Sequence, residues 1–450
     1  MPALSRFDIG PYSDCDRGFE KPVRRDQTTM SQAKSPADKT ERRTMGIIFF
    51  TLFLDLMGFG LVIPVQPFYA QSMGASPMWV TLLGTCFSGA QFLFSPFWGR
   101  LSDRFGRRPV ILTSVTISSI GYLIFALAPS LEVLFFARFL SGFGSANLGS
   151  AQAVIADITP PERRARGMGM LGAAFGLGFV FGPAIGGFLS QFGLQMPAFA
   201  ASALCAVNFL WAYYQLPETN PPEKRKLRVA TDVLEERRLS WRRLKEVVAS
   251  PQVLFLFGIF FFFTAAFSQF EQVVGMFIEF TWLPAEHLAG TSAKKAALMT
   301  ASMLILVGVV ATIVQGFLIG KLTTRFGERK LLMAGIVFVA ISIGLIPTLG
   351  ELGSYPLFLA DMALIAVGTG IFNPSITSLL SQSAAPGKQG KTLGQGQALS
   401  ALGRILGPTS SGFLFERWLG LPFIVSAAFT LICLALALGI RQPARTSAAA

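Results

Sequence analysis

Twelve apolar runs, each about 20 residues long or somewhat more, punctuate this 450-residue chain and leave little choice of fold. A helix rising 1.5 Å per residue crosses roughly 30 Å of hydrocarbon in about 20 residues, and lipid offers an open backbone no partner. The runs lie at 46–70, 79–98, 109–128, 133–155, 168–190 and 197–216, then at 253–280, 298–319, 331–350, 354–380, 393–415 and 420–440. Between the sixth and seventh lies the longest internal polar stretch, 217–252. The pattern predicts an all-α membrane protein with twelve transmembrane helices in two pseudo-symmetric six-helix bundles, 45–216 and 253–441. A connector at 217–252 and tails at 1–44 and 442–450 complete the layout. Composition agrees: 52% of residues are hydrophobic and 14% charged, where soluble domains carry about 25% charge.

The net charge of +13 would suit a nucleic acid if the cations formed a stripe interleaved with aromatics. They form short clusters between apolar runs instead. Of 38 Lys and Arg residues, 33 fall in the two tails and in every second loop, while Lys294, Lys295 and Arg417 occupy the opposite loops. Cationic loops stay cytoplasmic, so the expectation is a multi-pass protein of an inner or plasma membrane with both termini inside and no nucleic-acid partner. Residues 1–44 hold nine cations and seven acids without an apolar run, which predicts a solvated, disordered tail. In the connector Trp241, Leu244, Val247 and Val248 share one helical face, as in an interfacial helix lying on the inner leaflet.

Catalysis has little to work with. His287 is the only histidine, Cys15, Cys86, Cys205 and Cys433 are far apart, and no GxxxxGK[ST] loop is present. The chain therefore reads as no enzyme, with no cofactor and no metal, and any uphill work must draw on a gradient.

The loop after the second run reads Gly99-Arg100-Leu101-Ser102-Asp103-Arg104-Phe105-Gly106-Arg107-Arg108-Pro109. At Gly320-Lys321-Leu322-Thr323-Thr324-Arg325-Phe326-Gly327-Glu328-Arg329-Lys330 its order of Gly, cation, Leu, Arg, Phe, Gly and Arg returns at an offset of 221 residues. A repeat that long makes the chain two copies of one design. The fifth run contains Gly178, Gly182, Pro183, Gly186 and Gly187 as GxxxGPxxGG, and the eleventh repeats it from Gly403 to Gly412 with Ser411 for one glycine. Small residues at i and i+4 let helices approach closely, and proline bends the helix. The matched pair predicts that runs 5 and 11 pack against each other across the pseudo-two-fold.

Charges inside apolar runs are costly, so each competes between function and structure. Asp55 lies about 15 Å deep in the first run, either facing a wet cavity or hydrogen-bonded to a neighbouring helix. Arg138 lies about 10 Å deep in the fourth, too far up for a certain pair with Asp55. Its counterpart in the second half is Leu364, although Gly142, Gly144 and Asn147 recur there as Gly368, Gly370 and Asn373. Glu271, Asp361 and Arg404 are the remaining intramembrane charges. Glu271 sits beside Phe267 and Phe270 and suits a cationic ligand; the alternatives are a pair with Arg404 or a place near the outer surface. Gln315 and Asn373 offer cavity hydrogen bonds or act as helix glue.

From residue 45 to 441 these features resemble the major facilitator superfamily, and within it the drug/proton antiporters that include the tetracycline exporters. The loop built on Gly99, Asp103, Gly106 and Arg107 resembles that family's motif A. The resemblance implies that Asp103 faces the N-terminal dipole of the eleventh segment and that Arg107 pairs with Asp157, forming a latch between the halves. The alternative is that the cations only set topology and the glycines only permit a tight turn. With Thr324 and Glu328 in the second copy, a latch there needs other partners. The fifth run is similar to motif C of the antiporter branch. Phe136 to Gly144 is similar to motif B, whose arginine, here Arg138, is implicated in proton coupling together with Asp55. The implied protein is a monomeric secondary transporter that exports a drug-like, amphipathic small molecule in exchange for protons by alternating access. Runs 1, 4, 7 and 10 would line its cavity, with Glu271, Gln315, Asn373 and Arg404 as candidate contributors. Its implied partners are that solute, protons and the lipid bilayer. Uptake, or carriage of a lipid or metabolite on the same fold, is the rival, followed by a non-transporting membrane sensor.

Overall fold

The computed structural model describes residues 36–159, 164–223, 251–288, 291–384 and 389–440. The chain divides into two units, Met1–Thr40 and Glu41–Ala450, and apart from the start of the first helix every described element belongs to the second. No strand occurs among the described residues. The first half contains α1 (Pro36–Val62), α2 (Gln66–Gln71), α3 (Pro77–Phe105), α4 (Arg107–Ala126), α5 (Leu131–Gly144), α6 (Leu148–Ile158), α7 (Arg164–Leu189) and α8 (Met196–Gln215). The second contains α9 (Pro251–Trp282), α10 (Pro284–Leu288), α11 (Ala293–Ile313), α12 (Ile319–Phe326), α13 (Glu328–Glu351), α14 (Tyr355–Ser383), α15 (Gln389–Arg417) and α16 (Leu421–Leu438).

Nine helical stretches among the described residues are long and apolar enough to cross a membrane, and they cover runs 1–3, 6–10 and 12. The other three runs are helical as well. Run 4 is split between α5 and α6 by a single 3-10 turn, Ser145–Asn147, where Gly144, Ser145 and Asn147 cluster as weak helix formers. Run 5 is α7, and run 11 is α15, whose glutamines, serines and Arg404 dilute its apolar character. Run 8 passes from α11 through a π-helical segment, Val314–Leu318, into α12, and Gln315 sits in that segment.

One boundary differs from expectation. The first helix is described from Pro36, so its first turns lie inside the stretch 1–44 expected to be a disordered tail. The expected helix around Trp241 and the tail at 442–450 lie outside the described residues.

Most helices pack within their own half: α4 against α5 and α8, α13 against α14 and α16, α9 against α15 and α16. The most extensive crossings between halves are α3 with α15 and α7 with α11, with smaller ones of α2 and α3 on α9 and of α2 on α11. The pairing expected of runs 5 and 11 is therefore corrected. A Cβ at Gly182 in α7 would lie 2.7 Å from the Gly60 Cα of α1, and one at Gly403 in α15 would lie 2.7 Å from the Phe261 carbonyl of α9. Each stripe thus seats the helix on the first helix of its own half. Its far end reaches across, Gly187 to Ala301 of α11 and Gly412 to Met78 of α3. A stripe of small residues fixes how closely a neighbour comes, not which neighbour, and two symmetric stripes found two symmetric partners.

Candidate functional site

The repeated loops form matching corners at one end of the bundle. Gly106 joins α3 to α4 at φ 109° and Gly327 joins α12 to α13 at φ 77°, a backbone region that side chains with a Cβ rarely enter. In the first corner the Arg107 guanidinium reaches back to Asp103 at 2.7 Å and across to Asp157 at the end of α6 at 3.1 Å, and donates to the Ser102 hydroxyl at 3.0 Å. In the second, Glu328 occupies the place of Arg107 and accepts a hydrogen bond from Gln382 at the end of α14 at 3.1 Å. The next residue also matches: Arg108 donates to the Tyr213 carbonyl at 2.5 Å and Arg329 to the Leu438 carbonyl at 3.0 Å. Each corner thus ties the same three helices of its half, one through a charge pair and one through a neutral amide. The first side chains of α15, which Asp103 is expected to face, lie outside the described residues.

Two residues of this corner escape sequence reasoning. Past the end of α8 the chain folds back, and the Glu218 carboxylate accepts the backbone N–H groups of Arg107 and Arg108 at 2.9 and 3.3 Å. It thereby satisfies donors that the start of α4 leaves open. Asn220 donates to the Asp103 carbonyl at 3.2 Å. Their only signal in the sequence is an acid close behind an apolar run, at the cationic end of the protein.

Deeper in the first half, Arg138 is buried, with its guanidinium 4.9 Å from the Phe87 ring and 5.7 Å from the Phe125 ring. Its Nε and Nη1 have no hydrogen-bond partner, and no carboxylate among the described residues lies within ion-pair distance. Aromatic faces partly compensate a cation through their quadrupole. Phe87 stacks on Phe59 at 5.0 Å, and Phe59 meets Phe179 edge-on at 6.1 Å, so an aromatic row starts at Arg138. Asp55 lies four residues before Phe59 on α1. The two charges do not meet; buried Tyr122 lies within electrostatic reach of both, a place that only the fold reveals.

In the second half Glu271 of α9 and Arg404 of α15 face each other within electrostatic reach but beyond ion-pair distance. Arg404 Nη1 lies 3.5 Å from the Ser400 hydroxyl one turn away. Asp361 is buried beside Ser342, whose hydroxyl donates to its main-chain carbonyl at 2.9 Å. Gln315 is half-buried and Asn373 exposed. No group of three or more His, Cys, Asp or Glu suited to a metal occurs among the described residues.

Comparison with known proteins places this arrangement. The family profile described as Major Facilitator Superfamily matches residues 48–408 and 298–450. Multidrug resistance protein 2 of Bacillus subtilis (strain 168) is 30% identical over 414 residues, which is 91% of this chain and 98% of the relative. The class C tetracycline resistance protein of Escherichia coli is 34% identical over 399 residues, 86% of this chain and 94% of the relative. Among solved structures, the human organic anion transporter MFSD10 superimposes with a TM-score of 0.64 at 24% identity, covering 88% of this chain and 99% of that one.

Proposed function

The chain belongs to the major facilitator superfamily, and from that membership we propose that this transporter exports amphipathic, drug-like solutes in exchange for protons by alternating access. It works as a monomer with both termini in the cytoplasm. The two six-helix bundles, 45–216 and 253–441, rock about a site near the membrane midplane. The observation that carries the reading is Asp55, a carboxylate in an apolar membrane helix with no hydrogen-bond or ion-pair partner among the described residues.

A lone acid of this kind serves as a proton carrier if rocking exposes it first to one side and then to the other. Arg138 supplies a fixed positive charge in the same half, and Tyr122 carries its influence toward Asp55. Solute enters beside the Phe87–Phe59–Phe179 row and the opposed Glu271 and Arg404, a surface that accepts rings and amphipathic cations. Gln315 and Asn373 add amide groups toward the same space. The corner made by Gly99, Asp103, Gly106, Arg107 and Asp157 latches the loop end shut in the conformation whose opposite end is open. Gly178, Gly182, Pro183, Gly186 and Gly187 keep α7 tight on α1 through the cycle.

The test is a susceptibility panel, tetracycline and ethidium included, in a pump-deficient bacterial host, with proton movement followed by a pH-sensitive dye in everted vesicles. The wild type is expected to raise tolerance to at least one compound and to release protons when that compound is added. Asp55→Asn is expected to abolish both. Solute-driven proton release that persists in Asp55→Asn removes Asp55 from the cycle, and a panel with no change removes the export reading.

A further inference from the structure

The halves also close on each other at the end opposite the repeated loops. An apolar plug there, Val65, Phe68, Leu283, Ala296 and Ala297, draws residues from both halves. Two polar ties flank it. At the C-terminal end of α15 the Glu416 carboxylate accepts the Met78 backbone N–H, in the first turn of α3, at 3.0 Å. One helix pair away, the Gln191 amide donates to the Lys294 carbonyl at 3.0 Å, while Lys294 Nζ donates to the Gln191 carbonyl at 3.0 Å.

The ties hold equivalent places. Gln191 precedes Glu416 by 225 residues, the offset that separates Gly178 from Gly403, and Met78 and Lys294 are each the second residue of their helix. The first N–H groups of a helix lack intrahelical acceptors and carry its positive pole, so a carboxylate is favoured there. Helices α3 and α15 run antiparallel, so their other ends, with Asp103 and the start of α15, lie at the loop end. The Thr85 and Thr409 hydroxyls, 3.1 Å apart, join the same two helices further in. Toward the loops α3 has room: a methyl group at Gly89 or Gly99 would touch nothing within 4 Å.

We propose that Glu416 and Gln191 form the gate opposite the loops, a symmetric pair of ties whose release lets that end open. The proposal rests on the alternating-access reading, not on the identity of the solute. An apolar plug alone excludes water without fixing register, whereas each tie is directional. Both ties are exposed to solvent, so a bond lost on opening is replaced by one to water. The ties therefore bias the equilibrium without locking it, as a transporter that must cycle requires.

The experiment uses the full chain in lipid nanodiscs, with Cys15, Cys86, Cys205 and Cys433 replaced and spin labels at Phe192→Cys and Thr291→Cys, which lie on opposite halves beside the plug. Distance distributions by double electron–electron resonance report the open fraction at this end. Losing a helix-start acceptor is expected to raise that fraction about fivefold in Glu416→Ala. Glu416→Gln, which keeps a neutral acceptor, should fall between it and the parent. Gln191→Ala should act in the same direction, and the double variant should exceed either. Unchanged distributions in Glu416→Ala and in the double variant would overturn the proposal. The distances decide it even if no compound in the susceptibility panel is exported, so failure of the export reading and failure of the gate are separable.

Discussion

Arg107 is held by two acids of different exposure: its own side chain is 4% exposed and that of Asp157 10%, while Asp103 is 44% exposed. Removing one partner of a fully buried pair costs about 3–5 kcal/mol because the other charge is left stranded. The exposed Asp103 moderates that here, and we expect Arg107→Ala to cost about 2 kcal/mol, read as a lower thermal midpoint in detergent. Arg107→Lys should recover less than half of the loss, since an ammonium cannot point separate donors at Asp103, Asp157 and Ser102 as the guanidinium fork does. Equal midpoints for Lys and Arg would mean that charge alone, without geometry, holds this corner.

Helices α1 and α7 are the elements whose spacing is least negotiable. A Cβ at Gly182 would meet the Gly60 backbone at 2.7 and 2.8 Å, and backbone cannot swing aside as a side chain can. Gly182→Val is expected to cost about 1–3 kcal/mol and to abolish transport by prising α7 off α1. Gly89→Ala, in open space, should leave folded yield unchanged by fluorescence-detected size exclusion. Wild-type yield and transport in Gly182→Val would show that the contact is dispensable. Here the limits of the sequence become physical. The offsets of 221 and 225 residues make both corners and both glycine stripes visible, because repeats and helical spacing are local patterns. What each stripe touches is a long-range fact: the matched motifs pair runs 5 and 11 with each other, whereas each packs on the first helix of its own half. Glu218, Tyr122 and Glu416 are invisible for the same reason, since partners far away in sequence give them their roles.

At the scale of the whole molecule, the most extensive contacts between the halves are those of α3 with α15 and of α7 with α11, made by described residues on either side of 224–250. Fragments 1–230 and 231–450, co-expressed, are therefore expected to associate and to restore drug tolerance, while either alone should not. Co-purification through a tag on one fragment checks this, and failure to co-purify would make the connector part of the assembly. Glu218 and Asn220 stay with the first fragment, so its loop corner remains intact. The contact between Thr85 and Thr409 also sets a mechanical ratio. Along α3 it stands about 10 Å from Met78 and about 27 Å from Asp103, at 1.5 Å per residue. With that contact as fulcrum, a tilt of about 10° would move the Asp103 end by about 5 Å and the Met78 end by about 2 Å. The helix is an unequal lever: a rotation that opens the tie on the short arm by about 2 Å swings the long arm about 5 Å toward α15, so a small opening at one end is a large closing at the other.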